Sequence, residues 1–215
     1  MLSKSLSLAS LDLGATRRAR AQASGGRPAG RGVADTQEHV YRHPWHRVTA
    51  AAWRKFTDAD ARAAPLSHIL EVHTLSRRVD AGSGRIDAVR AIAGRAPPLP
   101  LLLRGLVAAA DVVLCVEHTT VDGLARAMRV VSRNANLRAL VHVEETCSYR
   151  PHPERPDEWT LFRQETSIRC APLAAVAAWA AEMVERRCAE RFRQNASQGR
   201  EVVETICERL ALADH

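Results

Sequence analysis

No C-x-x-C pair occurs among the five cysteines, Cys115, Cys147, Cys170, Cys188 and Cys207, which are odd in number and widely spaced. That spacing excludes the common structural zinc frameworks and predicts buried free thiols, with no metal site. A long apolar run is also missing. The two best candidates, residues 97–103 and 171–181, are too short to cross a bilayer as helices. Aromatic residues are few, 4% of 215, so the reading rests on aliphatic alternation. Acidic residues are nearly absent from the start of the chain: residues 1–36 hold six basic side chains and only two acidic ones. The remainder holds 25 basic and 22 acidic residues. More than half of the net charge of +7 thus sits in the first 36 residues. The small excess left to the body argues against a nucleic-acid partner.

Residues 1–36 are Arg- and Ser-rich, and as a helix would set Leu2, Leu6, Ala9 and Leu13 on one face. This pattern predicts a mitochondrial targeting segment; the competing reading is a disordered basic tail. The folded body is expected over 37–212. Glu38 to Tyr41 reads as a short strand. His43-Pro44-Trp45 opens a helix reaching about Phe56, with Pro44 tolerated in its first turn.

Strand candidates follow at 66–80, 85–95, 111–121 and 126–133, joined by Gly-, Asp- and Asn-bearing turns. The clearest pair spans Arg138 to Arg169. In its first strand Val141, Val143, Cys147 and Tyr149 alternate with His142, Glu144, Thr146 and Ser148; in its second, Phe162 and Ile168 alternate with Arg163, Glu165, Ser167 and Arg169. Pro151, Pro153 and Pro156 are expected outside the paired strands. Short connections favour an antiparallel meander. From Ala171-Pro172 a long helix is predicted, apolar at Val176, Ala180, Met183, Val184, Val202, Val203, Ile206 and Leu210. It is long enough to cross the sheet, and a cavity between the two is expected. The segment Gly94 to Ala110, with three prolines ahead of Leu101, Leu102 and Leu103, reads either as a buried crossover or as an apolar-tipped lid.

Several separated motifs occur in one order: EHVYRHPWHRVTAAAWRKF at 38–56, LSRRVD at 75–80, VEHTTVD at 116–122, VEE at 143–145, YRPHPERP at 149–156 and NASQGRE at 195–201. Together they resemble the PRELI/MSF1 domain, in particular its slowmo-like branch. The resemblance implies an α+β fold in which a curved antiparallel sheet of about seven strands grasps a long C-terminal helix, a START-like helix-grip with a lipid cavity. It implies a non-enzymatic shuttle of an anionic phospholipid, phosphatidic acid or phosphatidylserine, in the mitochondrial intermembrane space. It further implies a small helical partner with twin C-x9-C motifs, transient contact with anionic mitochondrial membranes, and no cofactor. Carried over position by position, it makes Lys55, Arg90, Arg95 and Arg191 head-group ligands and 95–104 the lid. It departs at Gln198, where the branch has a basic residue; Arg200 is the compensating candidate.

Other patterns have plainer readings. Glu144 and Glu145 are neighbours on a strand and face opposite ways, so they cannot act as a carboxylate pair. His142 and Glu144 share a face, which reads as an exposed polar surface rather than an acid–base dyad. His39 and His43 are split by a strand-to-helix join and make a poor metal pair. Asn195-Ala196-Ser197 is a glycosylation pattern or a polar helix turn. Two other function classes remain: a cavity-fold enzyme acting on an apolar substrate, and a lipid-binding regulator that never shuttles cargo. The enzyme would need converging polar groups inside the cavity, and the inward strand positions read as mainly aliphatic.

Overall fold

Alternating side chains and turns of a few residues make the strands pair with their sequence neighbours, and a computed structural model of the chain shows that meander carried to completion. It describes residues 32–96, 111–138, 141–170 and 178–213. The strands are β1 (Val33–Tyr41), β2 (Ile69–Asp80), β3 (Arg85–Arg95), β4 (Val112–Asp122), β5 (Ala127–Asn134), β6 (Val141–Pro151) and β7 (Thr160–Cys170). They form one antiparallel sheet in the order β1-β7-β6-β5-β4-β3-β2. Each of β3 to β7 lies beside its predecessor, and β1 joins β7, which leaves β1 and β2 at the two edges. The helices are α1 (Trp45–Arg54), the single turn α2 (Ala59–Ala63) and α3 (Ala178–Ala213). The expected curved sheet with a long C-terminal helix is therefore the architecture found. At 36 residues α3 extends over roughly 54 Å.

Two boundaries differ from expectation. β1 begins at Val33, not near residue 38, and pairs with β7 from Val33↔Ile168 to Tyr41↔Thr160. Residues 33–36 thus belong to the sheet. Pro151 closes β6 opposite Thr160 instead of lying outside the ladder. As the last residue of the strand it loses little by lacking an N–H, and the next ladder bond runs from His152 N–H to Trp159 O at 3.0 Å.

The core sits at one end of the sheet. Pro44 starts α1 in the extended conformation, and its carbonyl accepts from Arg47 and Val48 N–H. The helix turns Trp45, Val48, Ala51 and Ala52 inward against Met128, Tyr149 and Phe162. Trp45 Nε1 donates to Tyr149 O at 3.1 Å, which fixes α1 over β6. The C-terminal half of α3 adds Val202, Val203, Ile206 and Cys207 to the same cluster. Large apolar side chains buried this completely stabilise by about 1.5–3 kcal/mol each relative to exposure. Asp58 caps α2 by accepting from Ala61 N–H, and Arg209 near the end of α3 reaches Asp58 and Asp60. At the far tips of the hairpins, Gly123 N–H donates to Gly84 O at 3.0 Å. A Cβ on Gly123 would meet that oxygen at 3.0 Å, and Gly84 has φ +64°, so both turns need glycine.

Among the described residues α3 packs closely on α1, β7 and β1. Its contacts with β2 to β6 are fewer. No helix of the described residues is long and apolar enough to cross a membrane.

Candidate functional site

Register decides what the inward face carries. Cross-strand partners on one row point the same way. One inward row is polar on every strand: Asp35 on β1, Thr166 on β7, Glu145 on β6, Ser132 on β5, Glu117 on β4, Arg90 on β3 and Thr74 on β2. Toward α1 the next rows become apolar, ending in Phe162, Tyr149, Met128 and Val121. On the opposite side lies a row of Val33, Ile168, Val143, Asn134, Cys115, Ile92 and Val72, apolar except for Asn134. A polar belt thus crosses the whole concave face between two apolar zones. The expectation of mainly aliphatic inward positions is wrong at this level.

The belt's charges are not equivalent. Arg90 and Glu117 are buried, their side chains 5% and 3% exposed. Glu117 accepts from Arg90 Nε at 2.9 Å, from Arg90 Nη2, and from Thr119 Oγ1 at 3.3 Å. Arg90 Nη1 donates to Trp53 O at 3.0 Å, and the guanidinium lies over the Trp53 and Phe56 rings at 5.1 and 5.7 Å. This pair ties the middle of the sheet to the end of α1. Asp35 is met by Arg193 of α3 at 3.4 Å. Among the described residues Glu145 meets no such cation: it accepts from Gln164 Nε2 at 2.8 Å and from the Cys147 thiol at 3.5 Å. Its neighbour Glu144 points outward and pairs with Arg133 at 2.7 Å, a bond that holds its carboxyl below the usual range.

The five cations expected to bind a head group fall into three places. Lys55, just past α1, is half-buried, with its Nζ 4.6 Å from the Phe56 ring centroid. It has no ion-pair partner among the described residues, and its charge reaches the Cys147 thiol on the inward face. Arg90 is the buried member: its guanidinium is held by Glu117 and by the Trp53 carbonyl at the end of α1. Arg95 and Arg191 are both exposed and lie around His68, at the start of β2. Arg95 N–H donates to His68 O at 2.8 Å, and the charge of Arg191 reaches the His68 ring. Arg200 sits over β1, where its Nη1 donates to Gln37 Oε1 at 2.8 Å. Leu101, Leu102 and Leu103 lie outside the described residues. Gln198 is half-buried on α3.

Sequence reasoning missed Glu117, Glu145, Asp35 and Gln164. The available signal was a break in alternation: Glu145 falls on the same parity as Val143 and Cys147. At the belt's β1 end a narrow open cleft is bounded by Gln37, Gln164 and Thr166 on the sheet and by Ala189, Phe192 and Ala196 on α3. Burial pushes the Cys147 thiol well up, and the nearby Glu145 charge adds to it. Cys115 rises to about 11 for the same reasons. Both thiols stay protonated near neutrality and are poor nucleophiles. Among the described residues no group of three or more His, Cys, Asp or Glu is disposed to hold a metal ion; His43 instead meets Glu204 at 3.1 Å.

Two histidines at the site's ends make the fold acid-sensitive. Burial and then the Arg200 charge lower His39, with Glu204 opposing; burial and then Arg191 lower His68. Each group binds a proton more weakly folded than unfolded. Stability from both is therefore fully present above the ordinary value of 6.5 and is lost as pH falls through the lower folded values. Urea midpoints measured across this window should fall with acidification, and His39→Gln should flatten the dependence.

The chain matches the family model of the PRELI-like family over residues 46–213. It is 29% identical over 170 residues to the protein slowmo homolog of Dictyostelium discoideum, covering 79% of this chain and 69% of that one. It is 29% identical over 175 residues to a UPS-like protein of Schizosaccharomyces pombe, covering 81% and 89%. Among solved structures, the Zhui aromatase/cyclase from Streptomyces sp. R1128 aligns with a TM-score of 0.49 at 14% identity, over 83% of this chain and 94% of that one.

Proposed function

The chain belongs to the PRELI-like family, and from that premise we propose that it is a carrier for one anionic phospholipid between membranes. The observation that carries this reading is the order of rows on the concave face. An apolar row faces the end where residues 97–110 connect β3 to β4, and the polar belt lies deeper. Acyl chains need the first and a phosphate needs the second. Removing a lipid of roughly 30 methylenes from a bilayer costs about 25 kcal/mol at about 0.8 kcal/mol per methylene, so the protein has to replace that surface. The phosphate must be met by hydrogen bonds and a cation, since unpaired buried charge is costly. Lys55 supplies the inner cation; Arg95 and Arg191 attract the head group at the rim. Residues 95–104, with Leu101 to Leu103, act as the lid that opens at an anionic membrane.

The setting belongs to the same proposal: the basic segment ahead of β1 directs the chain to mitochondria, and it works in the intermembrane space with a small twin C-x9-C helical protein. Phosphatidic acid and phosphatidylserine are the cargoes considered.

The belt revives the enzyme reading, because converging polar groups do exist inside. They lack the means for chemistry, however. Glu117 is neutralised by Arg90, and the Cys147 and Cys115 thiols are held protonated. No histidine stands in the belt row to move a proton near neutral pH.

The deciding experiment is transfer of fluorescent phospholipids between liposomes by the purified protein. Movement of phosphatidic acid or phosphatidylserine above the spontaneous rate is expected. No transfer of any anionic phospholipid, with or without the small partner, overturns the proposal.

A further inference from the structure

Among the described residues three large apolar side chains stand in solvent: Val79 at 59%, Leu124 at 81% and Leu212 at 78% exposure. Leu212 lies in the last turn of α3. The other two occupy adjacent hairpin tips, Val79 at the end of β2 and Leu124 in the turn from β4 to β5. The two turns are joined by the bond from Gly123 N–H to Gly84 O.

These tips are built rather than frayed. Asp80 accepts from the Gly82 and Ser83 N–H groups at 3.0 and 3.3 Å, and Asp122 accepts from Ala125 N–H at 2.8 Å. Both carboxylates are thus turned back into their own loops. Arg126 holds φ at 45°, a conformation side chains rarely adopt, and its Nη1 reaches Asp157 at 2.7 Å. That bond ties the β4–β5 turn to the β6–β7 loop and still leaves Leu124 in water. Positive charge surrounds the apolar pair. Residues 77–87 and 119–129 hold five arginines against three aspartates. Arg85 and Arg126 are paired with Asp87 and Asp157. Arg77 and Arg78, directly before Val79, are exposed, and their side chains have no partner among the described residues.

We propose that the joined β2–β3 and β4–β5 tips are a docking site for an anionic bilayer surface, with Leu124 and Val79 entering the head-group layer and Arg77 and Arg78 meeting lipid phosphates. Shape and charge select this occupant. Two apolar side chains at the tips of hairpins offer far less than the roughly 800 Å² a side of a stable protein interface. A bilayer accepts such a tip, and guanidiniums beside it gain from the negative surface potential. β3 and β4 run about 35 Å from these tips to the connection at 97–110. The site is therefore distinct from the lid of the carrier reading, and it stands whether or not the chain carries lipid.

The test is co-sedimentation of the full chain with vesicles of phosphatidylcholine, alone or mixed with phosphatidylglycerol, an anionic lipid outside the cargoes considered. Binding to the mixed vesicles, weakening as salt is added, is expected. Arg77→Gln combined with Arg78→Gln should weaken it about thirtyfold, near fivefold for each charge. In Leu124→Trp the added fluorescence should be quenched by brominated phosphatidylcholine in the mixed vesicles. Leu212→Asp, at a comparably exposed leucine outside the tips, should leave binding unchanged. The substituted side chains are all exposed, and thermal midpoints confirm that each variant folds. A folded arginine double variant that binds as the wild type does, an unquenched Leu124→Trp, or a wild-type chain that binds neither vesicle overturns the proposal. Loss of self-association in the double variant with vesicle binding intact assigns the tips to a second copy of the chain and overturns it as well.

Discussion

Replacing Arg90 by alanine is expected to lower folding stability by about 3–5 kcal/mol, the cost of leaving a buried charge without its partner. For a domain whose total stability is about 5–15 kcal/mol, that is a large share. Glu117 would keep its hydrogen bond from Thr119 but lose both guanidinium donors, and the Trp53 carbonyl would lose its donor as well. The aromatic faces of Trp53 and Phe56 would lose the cation they pack against. The double change Arg90→Met with Glu117→Leu should recover much of the loss, because it removes the charge and the need for it together. Urea denaturation midpoints of the single and double variants are the measurement. A folded, fully stable Arg90→Ala protein that had lost only lipid transfer would show instead that Arg90 is a ligand and that its ion pair is incidental.

The second large effect is expected at Lys55. Only two lysines occur in the chain, Lys4 and Lys55, so every other basic residue of the sheet and helices is an arginine. Reversing the charge by Lys55→Glu would remove the cation offered to a phosphate and put an anion in its place. Transfer of every anionic phospholipid should fall at least tenfold, equivalent to about 1.4 kcal/mol or more. Stability should change little, since among the described residues Lys55 has no ion pair to lose and its contact with Phe56 is worth about 0.5–1 kcal/mol. The scarcity of lysine permits a chemical version of the test. Acetylating the protein removes charge from Lys55 but from no arginine, and should abolish transfer; reductive methylation keeps the charge and should preserve most of it. Transfer by the acetylated protein at the untreated rate would remove Lys55 from the site.

Most of the architecture could be read from residue order. In β6 the alternation from Val141 to Tyr149 defines a two-faced strand, and Ala81 to Gly84 and Asp122-Gly123 mark hairpin turns where they occur. Pro44 and the Val48, Ala51, Ala52 spacing placed α1. What could not be read depends on register. Arg90, Glu117 and Glu145 each interrupt one strand once, and a single polar residue in a strand says nothing by itself. Only when the strands are aligned do the interruptions fall on one row. β1 was read short for a related reason. Its inward residues Asp35 and Gln37 are polar because they meet Arg193 and Arg200 of α3, so the apolar alternation that marks a strand is missing there. Arg90 was placed among the ligands because a basic residue near a cavity is legible, whereas the carboxylate that claims it lies 27 positions away.

The position of β1 has a consequence for how the molecule assembles in time. The six strands from β2 to β7 form by successive hairpins, closed by short loops except between β3 and β4, where residues 96–111 intervene. β1 has only one strand to pair with, and it is the last one made. The bond from Thr160 Oγ1 to His43 O and the bond from Trp45 to Tyr149 O span 117 and 104 residues. Neither contact can form until nearly the whole sheet exists, so the first strand and first helix join late and slow the overall reaction. A chain cut before Thr160 would leave β6 with an open edge and β1 with nothing to join. Folding therefore starts in the middle of this sequence and is sealed by its beginning.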